Sequence, residues 1–491
     1  MDSATTLQLI EWVCGKEEGI PMTASQADAA TQGRVLRARV GMVKDSIVLR
    51  VPAHVLLSAS AAWRVKSDLG RVLVQVFGAS CDTSPAEATE AESSQSAPPL
   101  MDHYDPHLAL CLLLMYARIN DTPYKPYLLS LPASFSNLLC LELDNPHALT
   151  RIQGTPVMGV VEDERSQLQL VLDHVLMPVA KMFPGAISRS VTSASNEEVR
   201  QSLWRDLMWA HASIASRAFK FSLDKEQSEV FCVPFLDLAN HSDTPNLIVK
   251  GVDVESKCLI VKATRDIEPG EELTIAYHDQ APNSFLLTHY GFAMEGNPEE
   301  KVEVYFADPN EGEEVDEATA ALTERKDALL QAASEILNLN LGREQEFGPL
   351  PVSSTGNEAA LHDASQSPSS QSGVSLSMIF SLRILVANET DLEQVTSENV
   401  GSRIQSPLSR ENEANVYQMI SLMADALLGM YPTTLEQDLE RQQELNQGRA
   451  GDDDSDRYVI VYLIGQKRIL RKVLEFCEKN QNMWTMVWKA V

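Results

Sequence analysis

The chain has 491 residues, enough for two or three domains that each bury a core without metal or disulfide staples. Its apolar share of 44% and charged share of 22% are those of a globular protein and exclude a fibrous or wholly disordered one. With 40 Lys and Arg against 69 Asp and Glu, the formal charge of −29 repels phosphate backbones, so nucleic acid is excluded as a general partner and a protein with a basic surface is favoured.

The first residues lack a basic-then-apolar leader pattern, and Leu7, Ile10 and Val13 predict a short amphipathic helix. Short β-prone runs follow over 35–52, with Ile47, Leu49 and Val51 alternating as on a half-buried strand. Residues 82–99 are built from Ser, Ala, Glu and Pro and read as a surface insertion. Residues 108–118 form an apolar helix, too short to span a membrane, and no membrane association is expected. A helix over 199–217 places Leu203, Leu207, Ala210 and Ile214 on one face. Strands are predicted at 230–236, 259–263 and 272–277, so helical sequence divides the β-rich part. Downstream of about 300 the pattern turns helical, with the longer runs at 327–337, 377–387, 415–428 and 458–478. Residues 353–373 are rich in Ser, Gln and Gly and predict disorder, and 448–456 is an acidic loop. The seven cysteines are scattered with no Cys-x-x-Cys pair, which predicts no structural zinc, no metal and a reducing cytoplasmic or nuclear compartment.

The informative stretch is 233–292. Pro234-Phe235-Leu236-Asp237-Leu238-Ala239-Asn240-His241-Ser242 is followed by Arg265-Asp266-Ile267-Glu268-Pro269-Gly270-Glu271-Glu272-Leu273-Thr274-Ile275-Ala276-Tyr277, then by His289-Tyr290-Gly291-Phe292. Taken alone, each has an ordinary reading. The Asn-His-Ser segment suits an Asx-type cap before Pro245, the Glu-Pro-Gly-Glu segment a turn between strands, and Tyr277 a core tyrosine.

In order, these segments resemble the C-terminal half of the SET domain, in which an Asn-His segment and a final tyrosine thread past each other. More of the chain is similar to the Rubisco large-subunit methyltransferase-like branch. Leu108 through Arg118, Tyr124-Lys125-Pro126-Tyr127-Leu128 and Ser130-Leu131-Pro132 resemble its helical insertion, and Ala215-Ser216-Arg217-Ala218-Phe219 its return to the core. Tyr431-Pro432-Thr433-Thr434-Leu435-Glu436-Gln437-Asp438 resembles its substrate-binding domain. The implied fold is α+β: a split β-rich SET fold over 1–296, with strands about 33–57, a helical insertion about 58–225 and a second SET part about 226–296. An all-α substrate-binding domain follows over 297–491. The implied activity is S-adenosylmethionine-dependent lysine N-methylation of a non-histone protein by a monomer.

The resemblance also assigns roles. Tyr277 is the catalytic tyrosine, and Phe219 and Tyr290 line the target channel. Gly33, Arg217, Asp237, Asn240, His241, Tyr277 and Tyr290 surround the cofactor, with Arg217 on its carboxylate. One departure stands out: Val35 occupies the place of the second glycine in the family's Gly-x-Gly, where a side chain could crowd the cofactor. Two alternatives stay open. One is a histidine acceptor, as in the branch's actin-modifying members, which favour a polar residue where Phe219 stands. The other is a SET-fold binding module with weakened catalysis, motivated by Val35 and by His278-Asp279 after Tyr277.

Overall fold

The computed structural model describes residues 3–14, 22–26, 34–65, 67–78, 98–135, 146–189, 195–222, 228–253, 255–278, 280–307, 315–348, 373–447 and 454–486. Gly33, Asp279, the Ser/Gln/Gly-rich run 353–372 and most of the insertions at 82–99 and 448–456 lie outside the described residues. The chain divides into two compact units, Met1–Ser136 with Glu162–Asp279, and Asn137–Val161 with Gln280–Val491.

The first unit carries ten short strands: β1 (Met22–Gln26), β2 (Arg34–Ala38), β3 (Ile47–Pro52), β4 (Leu57–Ser58), β5 (Ala218–Ser222), β6 (Ser228–Cys232), β7 (Asn240–His241), β8 (Leu247–Asp253), β9 (Cys258–Ala263) and β10 (Thr274–Ile275). Strands β1 and β2 pair antiparallel; β3-β9-β8 and β4-β6-β5 form two three-stranded sheets; β7 and β10 pair in parallel. Strands read before the insertion are thus completed by strands read after it. The expected alternation on β3 holds for Leu49 and Val51, which are buried, but Ile47 is 41% exposed. A register shift between Ile47 and Leu49 against β9 turns Ile47 out of the alternation, as a bulge does.

Between β4 and β5 the chain is helical. Asp105 accepts from the backbone N–H groups of His107 and Leu108, Pro106 occupies the first turn, and the helix Pro106–Ile119 then buries every residue from Leu108 to Ala117. A helix apolar all round must be enclosed, and this one is the spine of the insertion. The helix Asn196–Ala215 starts on a capping box between Ser195 and Glu198 and buries Val199, Leu203, Leu207, Ala210 and Ile214. Its last turn delivers Arg217 to the start of β5.

The second unit is mainly helical, with one added antiparallel pair, β11 (Val302–Tyr305) and β12 (Glu344–Phe347). The helices Arg410–Met430 and Asp454–Met486 place Val416, Ile420, Ala424, Ile469 and Val473 in one core. Arg383 makes a bidentate pair with buried Glu413, 2.7 Å at each contact. The Tyr-Pro-Thr-Thr-Leu-Glu-Gln-Asp segment has a structural explanation: Thr434 and Gln437 form the capping box of the helix Leu435–Asn446, while buried Asp438 binds Thr433 and Lys467. The helix Asn283–Tyr290 belongs to this unit. Asn283 bonds Met294 and Asn297 through its side chain, and its N–H donates to Glu300, so the boundary expected at 296 falls inside a bonded cluster.

Candidate active site

The site in the first unit is built on a strained turn. Phe235 is fully buried at φ 73 and ψ −41, a region an aromatic residue adopts only when its surroundings over-determine it. The chain then closes a 3₁₀ turn, Leu236–Leu238, that packs against β2 and carries Asp237 inward. Asp237 is 7% exposed; its Oδ2 accepts from the hydroxyl of Tyr127 at 2.9 Å and lies 3.6 Å from Arg217 Nη1. Arg217 Nη1 also donates to the Asp237 carbonyl at 2.9 Å. The Arg217 Nε is enclosed and makes no hydrogen bond among the described residues. An enclosed guanidinium nitrogen without a partner fits the carboxylate of an amino-acid ligand, the group a planar fork holds best.

Beyond this turn two distant segments run side by side. Asn240 lies beside Thr274 and His241 beside Ile275 in the parallel pair of β7 and β10. Their register is set by Asn246, 1% exposed, which accepts from Thr274 N at 2.8 Å and donates to the Glu272 carbonyl at 2.7 Å. Asn240 donates to Glu272 Oε1 at 2.8 Å. Tyr277 is tied twice across the pair: its N–H donates to His241 Nδ1 at 3.1 Å, and its hydroxyl donates to the Ala239 carbonyl at 2.9 Å. Because Nδ1 accepts, the neutral His241 ring carries its hydrogen on Nε2. Burial lowers the His241 pKa, against a smaller opposing influence from Asp243, and so favours that neutral form. β2 closes the arrangement, with Leu273 N donating to Leu36 O at 2.7 Å and Ala38 N to Glu271 O at 2.9 Å. Val35 on this strand is enclosed, 2% exposed.

Arg217, Asp237, Asn240, His241 and Tyr277 therefore lie on one bonded framework. Phe219 sits half-buried on β5 opposite Phe231, whose ring stacks on Phe221 at 4.4 Å. Tyr290 ends the helix Asn283–Tyr290 in the second unit, 6.1 Å from Phe285 and 6.3 Å from Phe292 between ring centroids, and burial raises its phenol pKa. Gly33 lies outside the described residues. The sequence reading does not assign Tyr127, Asn246 or Glu272 to the site. Tyr127 stood within a quoted segment, but its bond to Asp237 spans 110 residues, and no local pattern encodes that.

The family model described as SET domain matches residues 33–278, half of the chain. The chain belongs to the SET-domain methyltransferase family. A second model, Rubisco LSMT substrate-binding, matches residues 316–470. The SET match spans the insertion and ends just after Tyr277, so it contains the framework above. Among curated relatives, the actin-histidine N-methyltransferases of Papio anubis and Gallus gallus are each 23% identical over 390 residues, 77% of this chain. The chain spans 56% and 57% of their respective lengths, little more than half. The structure of Rubisco LSMT bound to AdoMet aligns with a TM-score of 0.66 at 18% identity, over 98% of this chain and 93% of that one. The SET domain of LSMT bound to lysine and AdoHcy gives 0.66 and 18%, over 98% and 92%. At such identity these likenesses concern the fold.

Proposed function

We propose that the chain moves a methyl group from S-adenosylmethionine to the side-chain nitrogen of a lysine in a non-histone protein. The observation that carries this reading is the committed proton of Tyr277. Its hydroxyl donates to the Ala239 carbonyl, so toward a substrate amine the oxygen acts as an acceptor. An acceptor there orients an amine N–H and leaves the nitrogen lone pair for the methyl group. S-adenosylmethionine supplies the sulfonium-bound methyl: its C–S bond breaks as the N–C bond forms, and the amine proton passes to solvent. Arg217 would hold the carboxylate of that molecule through its unpartnered Nε, with Asp237 and Tyr127 fixing the guanidinium. Asn240 and His241 would line its place through the backbone they hold against β10. Lysine must arrive uncharged, and burial beside positive charge lowers an ammonium pKa in that direction.

A second reading, a histidine acceptor, is favoured by the relatives named actin-histidine N-methyltransferase. Phe219 supports lysine instead, because its ring offers no hydrogen bond to fix an imidazole tautomer. The partner is proposed to meet the chain's −29 charge with a basic surface, in the cytoplasm or nucleus. Incubation with radiolabelled S-adenosylmethionine and cell extract, then acid hydrolysis of labelled protein, is expected to yield methyl-lysine. Tyr277→Phe is expected to cut labelling by roughly 100-fold. Methyl-histidine as the product would overturn the acceptor assignment, and no labelled protein in any extract, with cofactor binding intact, would overturn the activity.

A further inference from the structure

The helical insertion of the first unit contains a cavity of about 980 Å³, lined by none of the residues placed around Asp237 and Tyr277. Most of its wall is apolar, with Phe77, Leu100, Leu168, Val171 and Leu207 among the contributors. Its polar part is a chain of three side chains. Glu164 Oε1 lies 2.7 Å from His211 Nε2, and His211 Nδ1 lies 2.9 Å from His107 Nε2. An ionised carboxylate only accepts, so His211 Nε2 carries a hydrogen; in the neutral ring Nδ1 then accepts, and His107 Nε2 donates to it. Burial, with the neighbouring His211 adding to it, lowers the His107 pKa to about 4, so this ring is neutral at ordinary pH. With its hydrogen on Nε2, the Nδ1 of His107 is a lone-pair acceptor, and among the described residues it makes no hydrogen bond.

Three further observations narrow what could use that acceptor. The lining contains Asp102, Asp105 and Glu164 but no Lys or Arg, which disfavours an anion. Burial pushes the thiol of Cys111 well up, so it is no nucleophile, and the cavity is suited to binding rather than reaction. One wall comes from the π-helical turn Leu172–Leu176, which contributes His174 and Val175; such turns are rare and concentrate at functional sites.

We propose that this cavity binds a small, largely apolar, neutral or cationic molecule through one N–H or O–H donor directed at His107 Nδ1. The site is separate from the methyl-transfer chemistry and does not depend on it. Indole and 1-methylindole share a ring body and differ in the N–H, so calorimetry on the full chain at pH 8 compares them directly, with indole-3-carboxylate as the anionic control. Indole is expected to bind about tenfold more tightly than 1-methylindole, the worth of one hydrogen bond in a desolvated site. The carboxylate is expected to bind more weakly than indole, and the indole affinity to be unchanged by saturating S-adenosylmethionine. His107→Phe, checked for folding by circular dichroism, is expected to erase the difference between indole and 1-methylindole. Met101→Trp, which fills the cavity from its lining without touching the histidines, is expected to abolish indole binding and decides the matter if His107→Phe does not fold. Equal affinity for the two indoles, no saturable indole binding, carboxylate binding as tight as indole, or displacement by S-adenosylmethionine would each overturn the proposal.

Discussion

Replacing Tyr127 by Phe removes a single oxygen from the interior and leaves the shape of the ring alone. That oxygen donates at 2.9 Å to Asp237 Oδ2, and the tyrosine is fully enclosed, so water cannot take its place. A hydrogen bond to a charged group contributes about 1.5–3 kcal/mol, and the free energy of unfolding should fall by that amount. The loss should also reach Arg217. Its Nη1 lies 3.6 Å from the same carboxylate oxygen, and with Tyr127's donor gone the guanidinium is drawn further onto Asp237 and offers less to a ligand carboxylate. The dissociation constant for S-adenosylmethionine is expected to rise about tenfold, or ~1.4 kcal/mol. Urea unfolding followed by far-ultraviolet circular dichroism measures the first quantity, and titration calorimetry the second. Tyr127→Leu serves as the contrast, since it adds a cavity and should cost more stability. A Tyr127→Phe protein as stable as the wild type, with unchanged cofactor affinity, would refute the claim that Tyr127 sets the Asp237–Arg217 pair.

Glu300 is buried, and burial raises its carboxyl pKa to about 7, although Gln466 and Asn283 donate to it at 2.5 and 3.3 Å. The folded state therefore holds its proton where an unfolded Glu, near ~4.3, has lost it. Its favourable contribution is complete below that value and is lost as pH rises through about 7, so Glu300→Gln should gain roughly 1–2 kcal/mol at pH 8 and nothing at pH 4 by urea midpoint. His241 has the opposite sign: its pKa is lowered, so stability is complete above the unfolded value of ~6.5 and falls as pH drops below it. His241→Leu should flatten that acid-side slope between pH 7 and 5. In the second unit, Lys467 and Asp438 are a fully enclosed pair, and Lys467→Met should cost about 3–5 kcal/mol by stranding the carboxylate. Adding Asp438→Leu should restore most of it; a single variant as stable as the wild type would show that the pair carries no such strain.

The sequence was most legible where structure is local. The helices Pro106–Ile119, Asn196–Ala215, Arg410–Met430 and Asp454–Met486 each contain a run expected from periodicity, extended at the ends by caps such as Asp105, Ser195 and Ser409. The Asn240-His241 and Tyr277 segments were recognisable from their order, and they lie together. What escaped was set by distant partners. A single register shift on β3 turns Ile47 outward, and period-two alternation contains no information about where a bulge falls. Strand β8 was not called, because Gly251 at φ 89 interrupts its pattern with another shift. Asn246 follows a turn-forming Ser-Asp-Thr-Pro run and looks like loop sequence, yet it is almost wholly buried, since the segment it bonds returns 28 residues later. Tyr290 was grouped with Tyr277 on proximity in sequence, whereas the chain's compact division falls between them.

The late pairing partners of β3 bear on how the protein is made. Strand β3 comes off the ribosome near residue 50, and the strand that pairs with it, β9, follows about 200 residues later. At ordinary synthesis rates the wait is roughly 10–40 s, far longer than a helix needs to form. The all-apolar helix Pro106–Ile119 is also complete before β9 exists. A nascent chain therefore carries an open strand edge and a greasy helix through most of translation, both of which invite aggregation. Yield in a recombinant host should depend on translation speed and chaperone supply more steeply than final thermodynamic stability would suggest, and slowing synthesis after residue 263, once β9 has emerged, should help less than lowering the temperature before it.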